Sequence, residues 1–277
     1  MKHSILLAAL LPLLACMCTP GAESLPVMSF NVRLGVADDG VFSWENRKAA
    51  AAAMIADQRP AVFGVQEAYD FQLDFLKGNC PGYAYVGVGR EDGVHEGEHM
   101  AVFYDTERIS LEDWGTYWLS ETPEEPSFGW DAACKRTATW TLLRDRKTGR
   151  EFFFVNTHLD HVGETARRNG LALVLERIAG MNPEGHPLAL VGDFNVYPDD
   201  PCLGDLRKKM QDARETASDT DRGVTWHDWG KVSGTPPIDY VFYSGFSGCK
   251  SFRRITREYG GSIYVSDHYP VIADLAY

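Results

Sequence analysis

Acidic and amide side chains recur along this chain where apolar runs end, and two histidines join them. In "LALVGDFNVYPDD" (residues 188–200) five largely apolar residues lead into Asp193 and Asn195, with Phe194 between them and Pro198 soon after. A strand alternates its side chains, so Asp193 and Asn195 are expected on one face and Phe194 on the other. That sets an acceptor-only carboxylate beside an amide that both donates and accepts. A strand leaving the core through an Asx-type turn has the same local signature and serves no chemistry. The choice between the two depends on partners elsewhere in the chain.

Partners occur in the same setting. Asn31 closes "MSFN", Glu67 closes "VFGVQE", His158 and Asp160 close "FFFVNTHLD", Asp239 opens "IDYVF" and Asp267-His268 opens "SDHYPVIADL". Any one of these alone reads as a surface carboxylate or a hydrogen-bonded structural histidine. Together they mark the points where buried strands emerge, which is where open α/β sheets place their sites.

The elements that must position these groups are strands and helices intermixed, with no repeat and no low-complexity linker. "LPVMSFNVR" and "PAVFGVQEA" read as strands, and "WENRKAAAAAMIADQ" between them as a helix with Ser43 at its N-cap. "YAYVGVGR", "HMAVFYD", "TATWTLLRD" and "REFFFVNTHL" are β-branched or aromatic runs, the last two joined by a turn at "RKTG". Helices are expected at 163–180 and near 201–210, and "IDYVFYS" and "HYPVIADLAY" close the chain as strands. With no composition break, residues 23–277 are expected to form one α/β domain with two sheets.

Composition supports a folded enzyme-sized unit: 277 residues, 44% hydrophobic and 24% charged. The formal net charge of −12, with 27 basic against 39 acidic residues and no long basic tract, disfavours non-specific nucleic-acid binding. Cys80, Cys134, Cys202 and Cys249 have neither C-x-x-C spacing nor nearby histidine pairs, which argues against a zinc site and leaves any pairing open. The start, "MKHSILLAALLPLLACMC", has a short basic head and an apolar run too short to span a membrane. It resembles a bacterial lipoprotein signal. That resemblance implies residues 1–22 as signal and short tether, cleavage before Cys16, lipidation of Cys16, and an exported chain held at the cell envelope by its lipid.

"SFN", "VQE", "NTHLD", "GDFN", "IDY" and "SDH" occur in the order seen in the endonuclease/exonuclease/phosphatase superfamily, which this chain resembles from about Val27 to Tyr277. The resemblance implies a four-layer αββα sandwich, two mixed sheets face to face with helices outside. It also implies a divalent ion, Mg²⁺ with Mn²⁺ or Ca²⁺ as substitutes, held by Glu67 with Asn31 and Asp267. Asp193 and Asn195 then resemble the pair that orients the attacking water, His268 is steadied by Asp239, and His158 has Glu98 as its carboxylate partner. Pro237 stands where many relatives carry a basic residue, so Arg90 and Arg136 are the expected phosphate contacts, with Asp160 and His161 on the rim. Tyr117, Trp118 and Trp130 are expected to cover a sheet edge. The expected function is a Mg²⁺-dependent phosphoesterase acting on a small phosphorylated molecule. A nuclease, or a non-catalytic binding lipoprotein of the envelope, are the alternatives.

Overall fold

The computed structural model describes residues 23–277; the expected signal and Cys16 lie outside the described residues. Seven strands form one mixed sheet: β1 (Ser24–Asn31), β2 (Val62–Gln66), β3 (Tyr83–Val86), β4 (Val102–Asp105), β10 (Asp219–Thr220), β12 (Gly248–Arg254) and β13 (Val271–Ala276), in the order β10-β12-β13-β1-β2-β4-β3. Six form the other: β5 (Ile109–Trp118), β6 (Thr137–Asp145), β7 (Glu151–His158), β8 (Leu188–Asp193), β9 (Gln211–Asp212) and β11 (Asp239–Ser244), in the order β5-β6-β7-β8-β11-β9.

The sheets face each other across an apolar layer that includes Val27, Val62, Phe152, Phe154, Val191 and Val241, all inaccessible to solvent. Outside the first sheet lie α1 (Trp44–Gln58) and α2 (Asp70–Asn79), whose Ala51, Ile55, Leu73 and Leu76 meet Phe30, Phe63 and Phe103. Outside the second lie α3 (Glu164–Met181) and α4 (Gly204–Lys209), whose Leu171, Val174 and Leu206 meet Val155, Leu190 and Phe242. This is the expected four-layer α/β sandwich. Strands such as β8 are covered on both faces, which is why they read as unbroken apolar runs.

Local chemistry explains the element ends. The alanine run makes α1 a strong helix former, and it stops at Arg59, a left-handed residue (φ 46°) whose N–H returns to Ile55 O, with Pro60 next. Ser43 does occupy the N-cap position, but its hydroxyl makes no capping bond to the backbone; it accepts a bond from the Asn46 side chain instead.

A polar clamp fixes the sheets to each other near one end. Asn156 of β7 reaches across the interior, donating to Val65 O (2.8 Å) and Ala101 O (2.9 Å) and accepting from Gln66 Nε2 (2.6 Å). Gly64 makes the crossing possible, since a Cβ there would lie 2.4 Å from Asn156 Cγ. The clamp sits two residues before His158 and one before Glu67, so it sets how the two strand ends face each other. Buried amides satisfied in this way specify one packing of the sheets.

Candidate active site

Register brings the chemistry together. Asp193 at the end of β8 is opposite His158 on parallel β7 and opposite Asp239 on antiparallel β11, giving a row across three neighbouring strands. Gly192 lets β7 and β8 close up there, because a Cβ would lie 2.0 Å from Thr157 O. From the other sheet, β1 delivers Asn31 and β2 is followed by Glu67, held in the left-handed region (φ 61°). Such a conformation in a glutamate is strained and persists because its surroundings fix it. Glu67 Oε1 accepts from Asn31 Nδ2 (2.9 Å) and Oε2 from the Leu34 N–H (2.9 Å).

The strand end at 193–195 turns as an Asx motif and still borders the cleft. The Asp193 carboxylate accepts the Asn195 N–H (3.0 Å), an Asx-type turn, and Asn195 is left-handed (φ 53°) instead of continuing the strand. Strict alternation therefore does not place Asn195, but the turn leaves both side chains on the wall of one cleft. Asn195 Nδ2 bonds His158 Nε2 (3.0 Å) and Leu159 O (3.0 Å).

The cleft, about 650 Å³, is lined at its charged end by Arg33, Glu67, Glu98, Arg136, His158, Asp193, Asp267 and His268. Asp239 lies behind His268 and bonds its Nδ1 (2.9 Å), while His268 Nε2 stands 3.7 Å from Asp193. Burial opposes charge on His268, but Asp239 and Asp193 overcome it and hold the ring as imidazolium, well above its ordinary range. Burial first, and then the Asp239 charge, raise the proton affinity of Asp193. His158 behaves oppositely: burial first, then the nearby Arg136 and Arg90, keep it neutral.

The carboxylates fit a divalent cation. Ligand atoms of Glu67, His158 and Asp193 lie within 4.8 Å of one another, and burial also raises the proton affinity of Asp267, so negative charge is crowded where a hard cation relieves it. Two details differ from expectation. Asn31 turns its N–H, not its oxygen, toward Glu67 and Asp193 (2.9 and 3.1 Å), since the Arg33 N–H occupies that oxygen; it joins two carboxylates and is not oriented as a ligand. Asp267 lines the cleft but is absent from every such tight group among the described residues, being held by Ser266 and 3.8 Å from Arg33.

Three other expectations are corrected. Glu98 does not partner His158: its carboxylate takes Arg90 Nη1 (2.8 Å), and His158 Nδ1 has no protein partner. Arg90 is not among the cleft-lining residues; with Glu91 and Glu98 around it, it supports Glu98 from behind. Asp160 is a loop anchor and does not line the cleft, accepting the N–H groups of Ala133, Cys134, Val162 and Gly163; despite burial these bonds and Arg136 bring its pKa down to about 2. Arg136 does line the cleft, pairs with Asp160 and His161, and keeps Nη1 buried without a protein partner. His161 shares the lining. Tyr117 and Trp118, at the end of edge strand β5, are buried, whereas Trp130 is half-buried with a left-handed backbone (φ 48°). The four cysteines are free thiols.

Sequence reasoning missed Arg33, which lines the cleft, is tied to Asp39 (3.0 Å) and has its proton affinity raised chiefly by that bond. Its only signal was its place two residues after Asn31. Trp226 and Ile238 were missed too, and no motif marks them.

Comparisons with known proteins agree with this geometry. The profile of the Endonuclease/Exonuclease/phosphatase family matches residues 28–268. The structure resembles that of a mannosyl-6-phosphatase from Bacteroides thetaiotaomicron, with 33% identity and TM-score 0.87 over 92% of this chain and 100% of that one. An endonuclease/exonuclease/phosphatase from Bacteroides vulgatus is 34% identical, with TM-score 0.86 over 91% of this chain and 98% of that one. An uncharacterized protein of Acanthamoeba polyphaga mimivirus is 25% identical over 84% of this chain and 92% of its own length.

Proposed function

Because the chain belongs to the endonuclease/exonuclease/phosphatase family, a class of metal-dependent phosphoric ester hydrolases, we propose that it is a Mg²⁺-dependent phosphoesterase that attacks a small phosphorylated molecule with water. The observation that carries this reading is that His158 and Asp193, paired across β7 and β8, share one cleft of about 650 Å³ with Glu67 and His268, with Asp239 bonded behind His268. That size suits a small ligand.

Each group has a task that follows from its state. Asp193, with Asn195 fixing the turn beside it, holds the water in line with the phosphorus and takes its proton. The His268 imidazolium, kept charged by Asp239, donates toward the nonbridging oxygens as negative charge grows on them. The Arg136 guanidinium, on the same cleft wall, offers positive charge to the phosphate. Glu67, with Asp267 on the same cleft, would hold the ion, which when bound would neutralise phosphate charge as a Lewis acid.

The small substrate is supported by the acidic surface, −12 overall, and by likeness to a protein named as a mannosyl-6-phosphatase. Initial rates on sugar phosphates, nucleotides, inositol phosphates, RNA and supercoiled plasmid at physiological salt test it. Release of phosphate from a small ester is expected to be fastest; plasmid nicking faster per enzyme than any small-ester turnover overturns the small-substrate reading.

Lipid anchoring is proposed from the sequence of residues 1–22 alone. No helix among the described residues is long and apolar enough to cross a membrane. Cys16→Ser is expected to move the protein from the membrane to the soluble fraction on simple fractionation. A variant that stays with the membrane points to a protein partner instead of an acyl chain.

A further inference from the structure

Beyond the groups that act on phosphorus, the cleft has a second wall made by Val196, Tyr197, Asp200, Trp226 and Ile238. These residues come from separate loops that short bonds tie into one piece. Thr225 Oγ1 accepts the N–H groups of Ile238 (2.9 Å) and Asp239 (3.1 Å), and Ile238 O accepts the Phe194 N–H (2.9 Å). The Tyr240 hydroxyl bonds Val196 O (2.8 Å), and Trp226 pairs with His268 through an isolated backbone bridge. The wall is therefore fixed directly to the reacting centre.

Its side chains are not used by the fold in the way their equivalents are. Trp229 stacks on Phe42 (4.7 Å), Trp44 packs edge-on against Phe75, and Trp118 donates to Arg90 O. Trp226 is half-buried in the cleft lining, with no ring partner or side-chain hydrogen bond among the described residues. Tyr197, which also lines the cleft, is 44% exposed. Asp200 gives one oxygen to the Cys202 N–H (2.8 Å) and still lines the cleft.

We propose that this wall binds the non-phosphorylated part of the substrate and that this part is a cyclic polyol, a sugar ring whose C–H face lies on Trp226 and whose hydroxyls donate to Asp200. The proposal rests on the phosphoesterase reading and names its substrate class. An aromatic face flanked by Ile238 and Val196 covers C–H groups, while a carboxylate accepts only, which suits hydroxyl donors. A second anionic group would be repelled by Asp200. A nucleobase needs paired donors and acceptors along one edge, and Asn195, the one amide among the lining residues, is committed to His158 and Leu159 O. A cleft of about 650 Å³ takes one ring with its phosphate.

Steady-state kinetics on hexose 6-phosphates and on p-nitrophenyl phosphate test it, using the full chain with Mg²⁺. Trp226→Ala is expected to raise KM for the hexose phosphates about five- to tenfold with a smaller change in kcat, as for a lost stacking contact, and Trp226→Phe to recover most of the loss. Asp200→Asn keeps the oxygen that caps Cys202 but replaces an acceptor by a donor. It is expected to lower the kcat/KM ratio of hexose 6-phosphate over p-nitrophenyl phosphate about fivefold, because an aryl ring can stack on Trp226 without needing Asp200. If wild-type protein cleaves phosphoesters but either variant leaves the hexose phosphate parameters and this ratio unmoved, or nucleotides outpace every sugar phosphate, the polyol subsite is wrong and the phosphoesterase reading stands. If wild-type protein cleaves none of these esters, the phosphoesterase reading itself fails.

Discussion

Asp193→Asn and His268→Ala each lower kcat on a generic ester such as bis-p-nitrophenyl phosphate by about two orders of magnitude or more, the scale of a lost acid–base or electrostatic group. The two act on different parts of the reaction. Asn at 193 preserves size and the turn-forming oxygen but cannot take a proton, and the carboxyl it replaces is the one whose proton affinity burial and Asp239 raise. Ala at 268 removes the imidazolium and leaves Asp239 buried without its 2.9 Å partner. Because that unpaired carboxylate also costs stability, His268→Gln serves as a second variant that keeps a donor in place. Circular dichroism of all three should match the parent. A near-normal rate in a folded variant means the proton and charge roles belong to other groups.

How far the sequence could be read follows from what each element depends on. The strands that end in site residues are covered on both faces, so their apolar runs were plain, and the residues that follow them could be matched to a family order. Strand β5 was not distinguished, because it lies at a sheet edge, carries exposed Glu112 and Asp113 and has a register shift between Leu111 and Asp113. Helix α2 was not either; it spans ten residues, with Leu73 and Leu76 buried and Gln72 spent on fastening the loop after β1. Contacts between distant residues were harder still. That Glu98 would bond Arg90, or that Asp160 would spend its carboxylate on four backbone N–H groups, depends on how loops meet in space. Asp193, His158 and the His268–Asp239 pair were legible from residue type and order, whereas the bonds of Arg136 to Asp160 and His161 follow from the fold.

The need for a divalent ion is the other large expected effect. Glu67, Asp193 and Asp267 share the cleft, with Asp239 close behind, and Arg33, Arg136 and His268 are the cationic groups among its lining. Arg33 is already tied to Asp39, and Arg136 to Asp160. A phosphate ester entering this cleft adds negative charge to carboxylates that already raise one another's proton affinity, as at Asp193 and Asp267. Hard oxygen ligands and an anionic substrate favour Mg²⁺ over softer ions. Calcium is expected to bind and to support less activity.

The most direct test is phosphate release from a small ester by wild-type protein before chelation, after exhaustive chelation and after Mg²⁺ is returned. The expected result is loss of essentially all turnover on chelation and its recovery with Mg²⁺, with Glu67→Gln needing more ion to recover than the parent. Full turnover after exhaustive chelation would contradict the account at its centre.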